Sequence, residues 1–190
     1  MQFRHHDIIY RQGDDCPGAC CVLQGHVKLT RLNRDGDAGT VALLKAGDWF
    51  GALDGHPGAA VETAVAKGVT RLRVLPRTPP REPSDAAAII ESLARRQRFL
   101  ELRLDALLRL DVRARLAAVL LDLATFCGQH CRHGHEIDVR LTHQELAELS
   151  GVSRPVVTAT LNQWRKDGCL RYTREYICIE RRDVFTQLLA

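Results

Sequence analysis

Apolar positions change their spacing twice along this chain. From Phe3 to about Leu75, short apolar and β-branched runs are separated by turn residues, the signature of strands. Asp7 to Tyr10 runs into Gln12-Gly13-Asp14. Cys20 to Leu23 is followed by a predicted turn at Gln24-Gly25, after which His26 to Thr30 alternates. Asn33-Arg34-Asp35-Gly36-Asp37 reads as a hairpin turn, because Asn and Gly accept positive φ. Thr40 to Leu44 returns as a strand, Lys45 to Asp48 turns again, and Val61 to Ala66 with Val69 to Leu75 make a last pair. Many short strands at this spacing predict a barrel or sandwich.

The spacing then becomes helical. Pro76 to Pro83 carries four prolines and reads as a linker, since proline fixes φ and removes a donor. Ser84 is expected to cap a helix continuing to about Leu110. Along it Ile90, Leu93, Gln97, Leu100, Leu104 and Leu107 alternate spacings of three and four. That is an a/d seam for pairing with a second helix, with Gln97 as a polar position able to set register. Arg95, Arg96, Arg98 and Arg103 lie off the seam and are expected to be solvated. Asp111 can cap the next helix, Val112 to about Phe126, whose Leu116, Val119, Leu120 and Leu123 face inward; Cys127-Gly128 ends it.

From Leu141 to Leu170 two short helices meet at a tight turn. Thr142 and Glu145 form a capping box, Leu146 and Leu149 give an apolar face, and Gly151 ends the first helix in the left-handed conformation. Ser153 caps the second, and Pro155 falls in its first turn. Val157 and Leu161 face inward, with Val156 or Trp164 flanking, which leaves Arg154, Thr158, Asn162 and Gln163 on other faces. Such a helix–turn–helix lays the start of its second helix in the major groove of DNA. Cys169 to Tyr172 and Tyr176 to Ile179 then make a hairpin wing around Thr173-Arg174-Glu175, and Arg181 to Leu189 closes as a short helix or tail.

Composition changes this picture only at its edges. An apolar content of 45% suits an ordinary core, and a net charge of +4 permits a nucleic-acid partner without requiring one. Nothing approaches the roughly 20 apolar residues of a membrane span, and Met1 to Asp15 lacks a signal core. A cytoplasmic chain without membrane partners is expected. Its seven cysteines are then mostly reduced, and their odd number argues against a complete disulfide framework.

Two chemical alternatives arise. A cupin-like β-barrel metalloenzyme needs histidines and a carboxylate converging from neighbouring strands, whereas His5, His6, His26 and His56 are scattered. No nucleophile–base constellation is present either, so no enzymatic activity is expected. The second alternative is a redox or metal sensor. Cys16, Cys20 and Cys21 lie together, and Cys127, Cys131, His133 and His135 form another cluster. Their spacing is not that of a standard zinc finger. No cofactor or metal is assigned, and thiol reactivity depends on exposure and thiolate pKa.

The order β-domain, long seamed helix and winged helix–turn–helix resembles the CRP/FNR family of bacterial transcription regulators (cyclic-AMP receptor protein and fumarate–nitrate regulator). The matching stretches are Gln12-Gly13-Asp14, Gly25 to Leu29 and Gly47-Asp48-Trp49-Phe50-Gly51. The strongest are Leu141 to Ala147 and Gly151-Val152-Ser153-Arg154. The resemblance covers essentially the whole chain and implies an α+β fold. An N-terminal β-roll, a cyclic-nucleotide-binding-like jelly roll, would occupy residues 1–78. Linker and dimerisation helix would take 79–110, and a C-terminal winged helix–turn–helix 111–190.

The resemblance implies a homodimer on two-fold symmetric promoter DNA, with RNA polymerase as a further partner. By position, Arg154 matches an arginine that reads guanine through O6 and N7. Thr142, Gln144 and Ser153 match phosphate contacts, His143 stands where a basic phosphate contact is frequent, and Arg174 in the wing is a further candidate. Pro155 replaces a common glutamate and Ala159 a later arginine, so readout shifts to Arg154, Thr158 and Asn162, with more weight on DNA shape. In the roll, Gly51-Ala52 stands where cyclic-AMP binders carry Gly-Glu, and Ala60-Val61 where they carry Arg-Ser. The stretch Gly55-His56-Pro57-Gly58 looks like a shortened loop in place of that cassette. A buried phosphate without a cation is unfavourable, so regulation independent of cyclic AMP is expected.

Overall fold

Six strands make one antiparallel sheet in the computed structural model, which describes residues 1–34, 36, 38–53, 58–75, 82–173 and 176–189. They are β1 (Gln2–Phe3), β2 (Ile8–Tyr10), β3 (Ala19–Leu32), β4 (Ala38–Leu44), β5 (Trp49–Gly51) and β6 (Thr63–Leu75). The order is β1-β6-β3-β4, with β2 also on β6 and β5 also on β3. The described residues fall into two compact units, Met1–Phe99 and Leu100–Ala190.

Gln24-Gly25 does not turn the chain. β3 runs through it, with register shifts against β6 on both sides of Gln24. Gly25 takes φ 78°, and a Cβ there would lie 2.3 Å from the Val69 carbonyl oxygen, so the close approach of β6 requires glycine. The bulge also shifts parity. Cys20 and Val22 before it and Val27 and Leu29 after it all join one buried core, with Tyr10, Phe50 and Leu72. Likewise the two strands expected after Val61 are one strand, β6, which passes Gly68 at φ 80° without reversing. The linker from Pro76 to Arg81 and the loop at Asp54 to Pro57 lie outside the described residues.

The other face of β3 receives helix α1 (Pro83–Arg109). Ala19 and Cys21 pack with Trp49 and Ile89 in a second small core. Pro83 holds the first helical position, where its missing N–H costs nothing, so Ser84 lies inside the helix rather than capping it. Arg95 and Arg96 are not solvated as expected. Arg95 pairs with the buried Asp48 at 3.0 Å and Arg96 with the buried Glu62 at 3.3 Å. The roll buries two carboxylates that need cationic partners, and consecutive arginines on α1 supply them. Ser92 Oγ accepts from the Trp49 amide at 2.9 Å, and Arg73 pairs with Asp85.

In the second unit, Asp111 caps α2 (Val112–Cys127) as expected, accepting from the amides of Arg113 and Ala114. Here Arg103, also expected to be solvated, donates to the Glu148 carbonyl oxygen at 3.0 Å. Two strands follow that the apolar pattern did not show, β7 (Gly128–Cys131) and β8 (Gly134–Ile137). Only Ile137 of this hairpin is buried and apolar, so no alternation marks it. Then come α3 (His143–Ser150), α4 (Arg154–Lys166), β9 (Leu170–Tyr172), β10 (Ile177–Ile179) and α5 (Arg182–Gln187). The sheet order is β7-β8-β10-β9. Leu116, Leu120, Leu146, Leu161, Trp164, Ile179 and Phe185 are buried, with the Trp164 and Phe185 rings 4.8 Å apart.

Candidate nucleic-acid interface

The capping box at Thr142 is complete. The Thr142 hydroxyl accepts from the Glu145 amide, and the buried Glu145 carboxylate accepts from the Thr142 amide at 2.8 Å. Gly151 stands at φ 63°, with the space its Cβ would need already taken by the Leu107 side chain. The turn therefore fixes where α4 begins. Ser153 holds the N-cap position in extended backbone, yet its side chain makes no capping bond. Pro155 in the first turn brings no N–H. The first-turn amides of α4 are thus left open to an outside acceptor.

Val157, Leu161 and Trp164 bury one face of α4, while Val156 is exposed; Trp164 is the flanking core residue. The opposite face assembles most of the residues picked out by sequence. Arg154 and Pro155 are exposed at its start, and Thr142, Gln144 and Ser153 are exposed around the turn. Gln144 donates to Glu148 at 3.0 Å. His143 is half-buried, with Nδ1 2.8 Å from the Thr158 hydroxyl, which itself donates to the Arg154 carbonyl at 3.0 Å. A singly protonated, neutral ring can make this contact in either tautomer. Burial first, then the Arg154 charge, lowers the His143 pKa below 6.5 and favours that neutral form.

Two residues of this face were not picked out by sequence. Tyr172 of β9 donates to Asn162 Oδ1 at 2.9 Å and meets the His143 ring edge-on at 5.5 Å. Arg165 donates to the same Asn162 oxygen at 3.1 Å and lies 5.2 Å over the Tyr172 ring. Asn162 is therefore held by the wing strand and keeps its amide N–H groups to offer outward. The signal was an aromatic at the end of a short strand, which alone does not say what it touches. Arg174 lies outside the described residues.

The cysteine and histidine clusters do not converge. Cys16 and Cys20 are buried in the roll and share the Gly18 carbonyl as acceptor, at 3.6 and 3.7 Å. Burial pushes the Cys20 thiol up to about 12, with Cys16 and Cys21 adding to it. Cys127 donates to the Leu123 carbonyl in its own helix. The rings of His130 and His135 sit 4.2 Å apart. Among the described residues, no three His, Cys, Asp or Glu side chains are grouped to hold a metal ion. Among them, too, no helix is long and apolar enough to cross a membrane.

Comparison with known proteins agrees with this architecture. A model of the Crp-like helix-turn-helix domain matches residues 114–188, and one of the cyclic nucleotide-binding domain matches residues 1–80. The cyclic AMP receptor protein of Thermus thermophilus is 34% identical over 86% of this chain and 75% of its own length. The transcriptional regulator SdrP of the same organism is 31% identical over 90% of this chain and 84% of its own. The chain belongs to the CRP/FNR family. A solved CRP/FNR-family transcriptional regulator from Thermus thermophilus matches with a TM-score of 0.81 and 25% identity, covering 99% of this chain and 96% of that one. As a CRP/FNR regulator, the chain is a DNA-binding transcription factor, and α3, α4 and the β9–β10 wing form its winged helix–turn–helix.

Proposed function

We propose that this regulator works as a homodimer on two-fold symmetric promoter DNA, independently of cyclic AMP. One observation carries the DNA-reading part: the exposed face of α4 that starts at Arg154 above uncapped first-turn amides. Arg154 reads guanine through two donors, and Thr158 and Asn162 read neighbouring bases from a surface ordered by His143 and Tyr172. Ser153, Thr142, Gln144 and His143 hold phosphates, Pro155 gives up the base contact that a glutamate would make, and Arg174 adds a wing contact. RNA polymerase is the expected protein partner.

Support for the dimer comes from α1. Ile90, Leu93, Leu100, Leu104 and Leu107, all at a/d spacing, are between 43 and 67% exposed. A leucine stripe of this length is stabilised by a second copy of the same helix. Residues 1–78 then act as the roll, 79–110 as linker and pairing helix, and 111–190 as the reading head. Paired heads would address half-sites about 34 Å apart. Independence from cyclic AMP is supported at the positions where an Arg-Ser pair is missing: Ala60 is a buried methyl of the roll core and Val61 is exposed.

Arg154→Ala is expected to lose about 1–3 kcal/mol of discrimination at one base position, measured as Kd on a specific against a scrambled duplex. Equal loss on both duplexes would remove Arg154 from base reading. Leu104→Asp is expected to yield a monomer by sedimentation, and a stable dimer would overturn the α1 seam.

A further inference from the structure

Cys131 ends β7 and Cys178 lies in the middle of β10, with β8 between them. Gly134 stands opposite Cys131, and Glu136 opposite Cys178. The two side chains nevertheless meet across β8, and their sulfurs are 3.4 Å apart. Cys178 is buried whereas Cys131 is only half-buried, at the turn end of the hairpin. Neither is among the residues proposed above to contact DNA.

We propose that Cys131 and Cys178 form a reversible dithiol–disulfide pair whose oxidant is a hydroperoxide. The Cys131 thiolate attacks one peroxide oxygen, forming an S–O bond as the O–O bond breaks, and the leaving alkoxide takes a proton. Cys178 then attacks the sulfenic sulfur. The S–S bond forms, the S–OH bond breaks, and hydroxide departs with the Cys178 proton as water. Two thiols and one hydroperoxide give one disulfide, one alcohol and one water, a two-electron oxidation.

The division of roles follows from the surroundings. The His133 amide, then the Cys178 thiol and the Gly134 amide, hydrogen-bond to the Cys131 sulfur and lower its pKa. Burial raises that of Cys178, which stays protonated and donates towards Cys131. The half-buried thiol is the attacker and the buried one resolves. Cys16 and Cys20 also lie close together, but both are buried in the roll, and burial raises the Cys20 pKa.

Closing the bond brings the sulfurs from 3.4 Å to about 2.05 Å, which draws the end of the β7–β8 hairpin towards β10. Beside Cys178 on β10, Ile177 is the strand partner of Tyr172, whose hydroxyl holds Asn162 on α4. Oxidation therefore acts on the reading face through the wing strand. This second step rests on the DNA-reading role proposed above.

The full chain, reduced and then treated with hydrogen peroxide, is to be alkylated with N-ethylmaleimide and mapped by mass spectrometry. A Cys131–Cys178 linked peptide, lost on dithiothreitol, is expected with two of the seven thiols consumed. Cys178→Ser is expected to stop at a sulfenic acid on Cys131 that dimedone traps, and Cys131→Ser to give neither product. A Cys131 that reacts no faster than Cys169, or a link formed elsewhere, would overturn the site. Oxidised wild type is expected to bind DNA about tenfold more weakly, with neither serine variant responding. Unchanged affinity in fully linked protein would overturn the coupling to α4. Reduced protein that binds no DNA would sink the reading assignment, whereas the linked peptide alone decides the dithiol site.

Discussion

The arginines packed on the roll and the arginine that opens the reading helix are used in opposite ways. In the roll, Asp48 and Glu62 are buried and tied to Arg95 and Arg96 of α1. In the head, Arg154 is exposed, and its neighbours Thr158 and Asn162 are held by uncharged partners, His143 and Tyr172, with Arg165 on the same Asn162 oxygen. A buried carboxylate is stabilised by its partner and resists rearrangement, since either charge left alone would be costly. An exposed guanidinium beside ordered neutral groups keeps its donors for a ligand. The difference separates a unit that holds a helix in place from one that offers contacts.

Each unit carries one of the two tryptophans, Trp49 and Trp164, both buried, so the contrast can be tested by fluorescence. The largest effect is expected for Phe185→Ala. It opens a cavity against Trp164 and costs the head about 3–5 kcal/mol. The denaturation midpoint reported by Trp164 falls while that of Trp49 holds, and a joint fall would show that the units unfold as one. Glu62→Ala is expected next, at about 1–3 kcal/mol, because it leaves Arg96 without its anion. Here the Trp49 transition moves, and no change would reduce the pair to a surface contact.

The smallest effect concerns pH. Free His143 has a pKa below 6.5, set by burial and by Arg154. A DNA phosphate beside it raises that value, so the bound state takes up a proton that the free state lacks. The added affinity is complete below the free-state pKa and is lost as pH rises through the bound-state value. A gain of a few tenths to about 1 kcal/mol on acidification is expected in wild type and absent in His143→Gln. An identical pH profile for the two proteins would place His143 away from phosphate.

Legibility tracked how local each signal is. The α3–turn–α4 unit was readable because Thr142, Glu145 and Gly151 each act within a few residues, through caps and a left-handed turn. The β7–β8 hairpin was not, because its residues are polar and it is held by pairing with β10. Gly25 misled as a turn signal, since a glycine that lets a strand bulge looks the same as one that reverses it. The arginines of α1 were misread for a related reason. Their partners, Asp48 and Glu62, lie more than 30 residues away in the chain.

By itself, the sequence determined the order of the long helices and of the helix–turn–helix, the family, the leucine stripe of α1 and the residues at the start of α4. Each depends on spacing or capping within a turn or two of the chain. Tertiary structure alone decided that Tyr172 orders Asn162, that Arg95 and Arg96 anchor α1 to the roll, and that Cys131 meets Cys178. Those contacts join residues from different strands and helices, and no local pattern records which side chains the sheet register brings face to face.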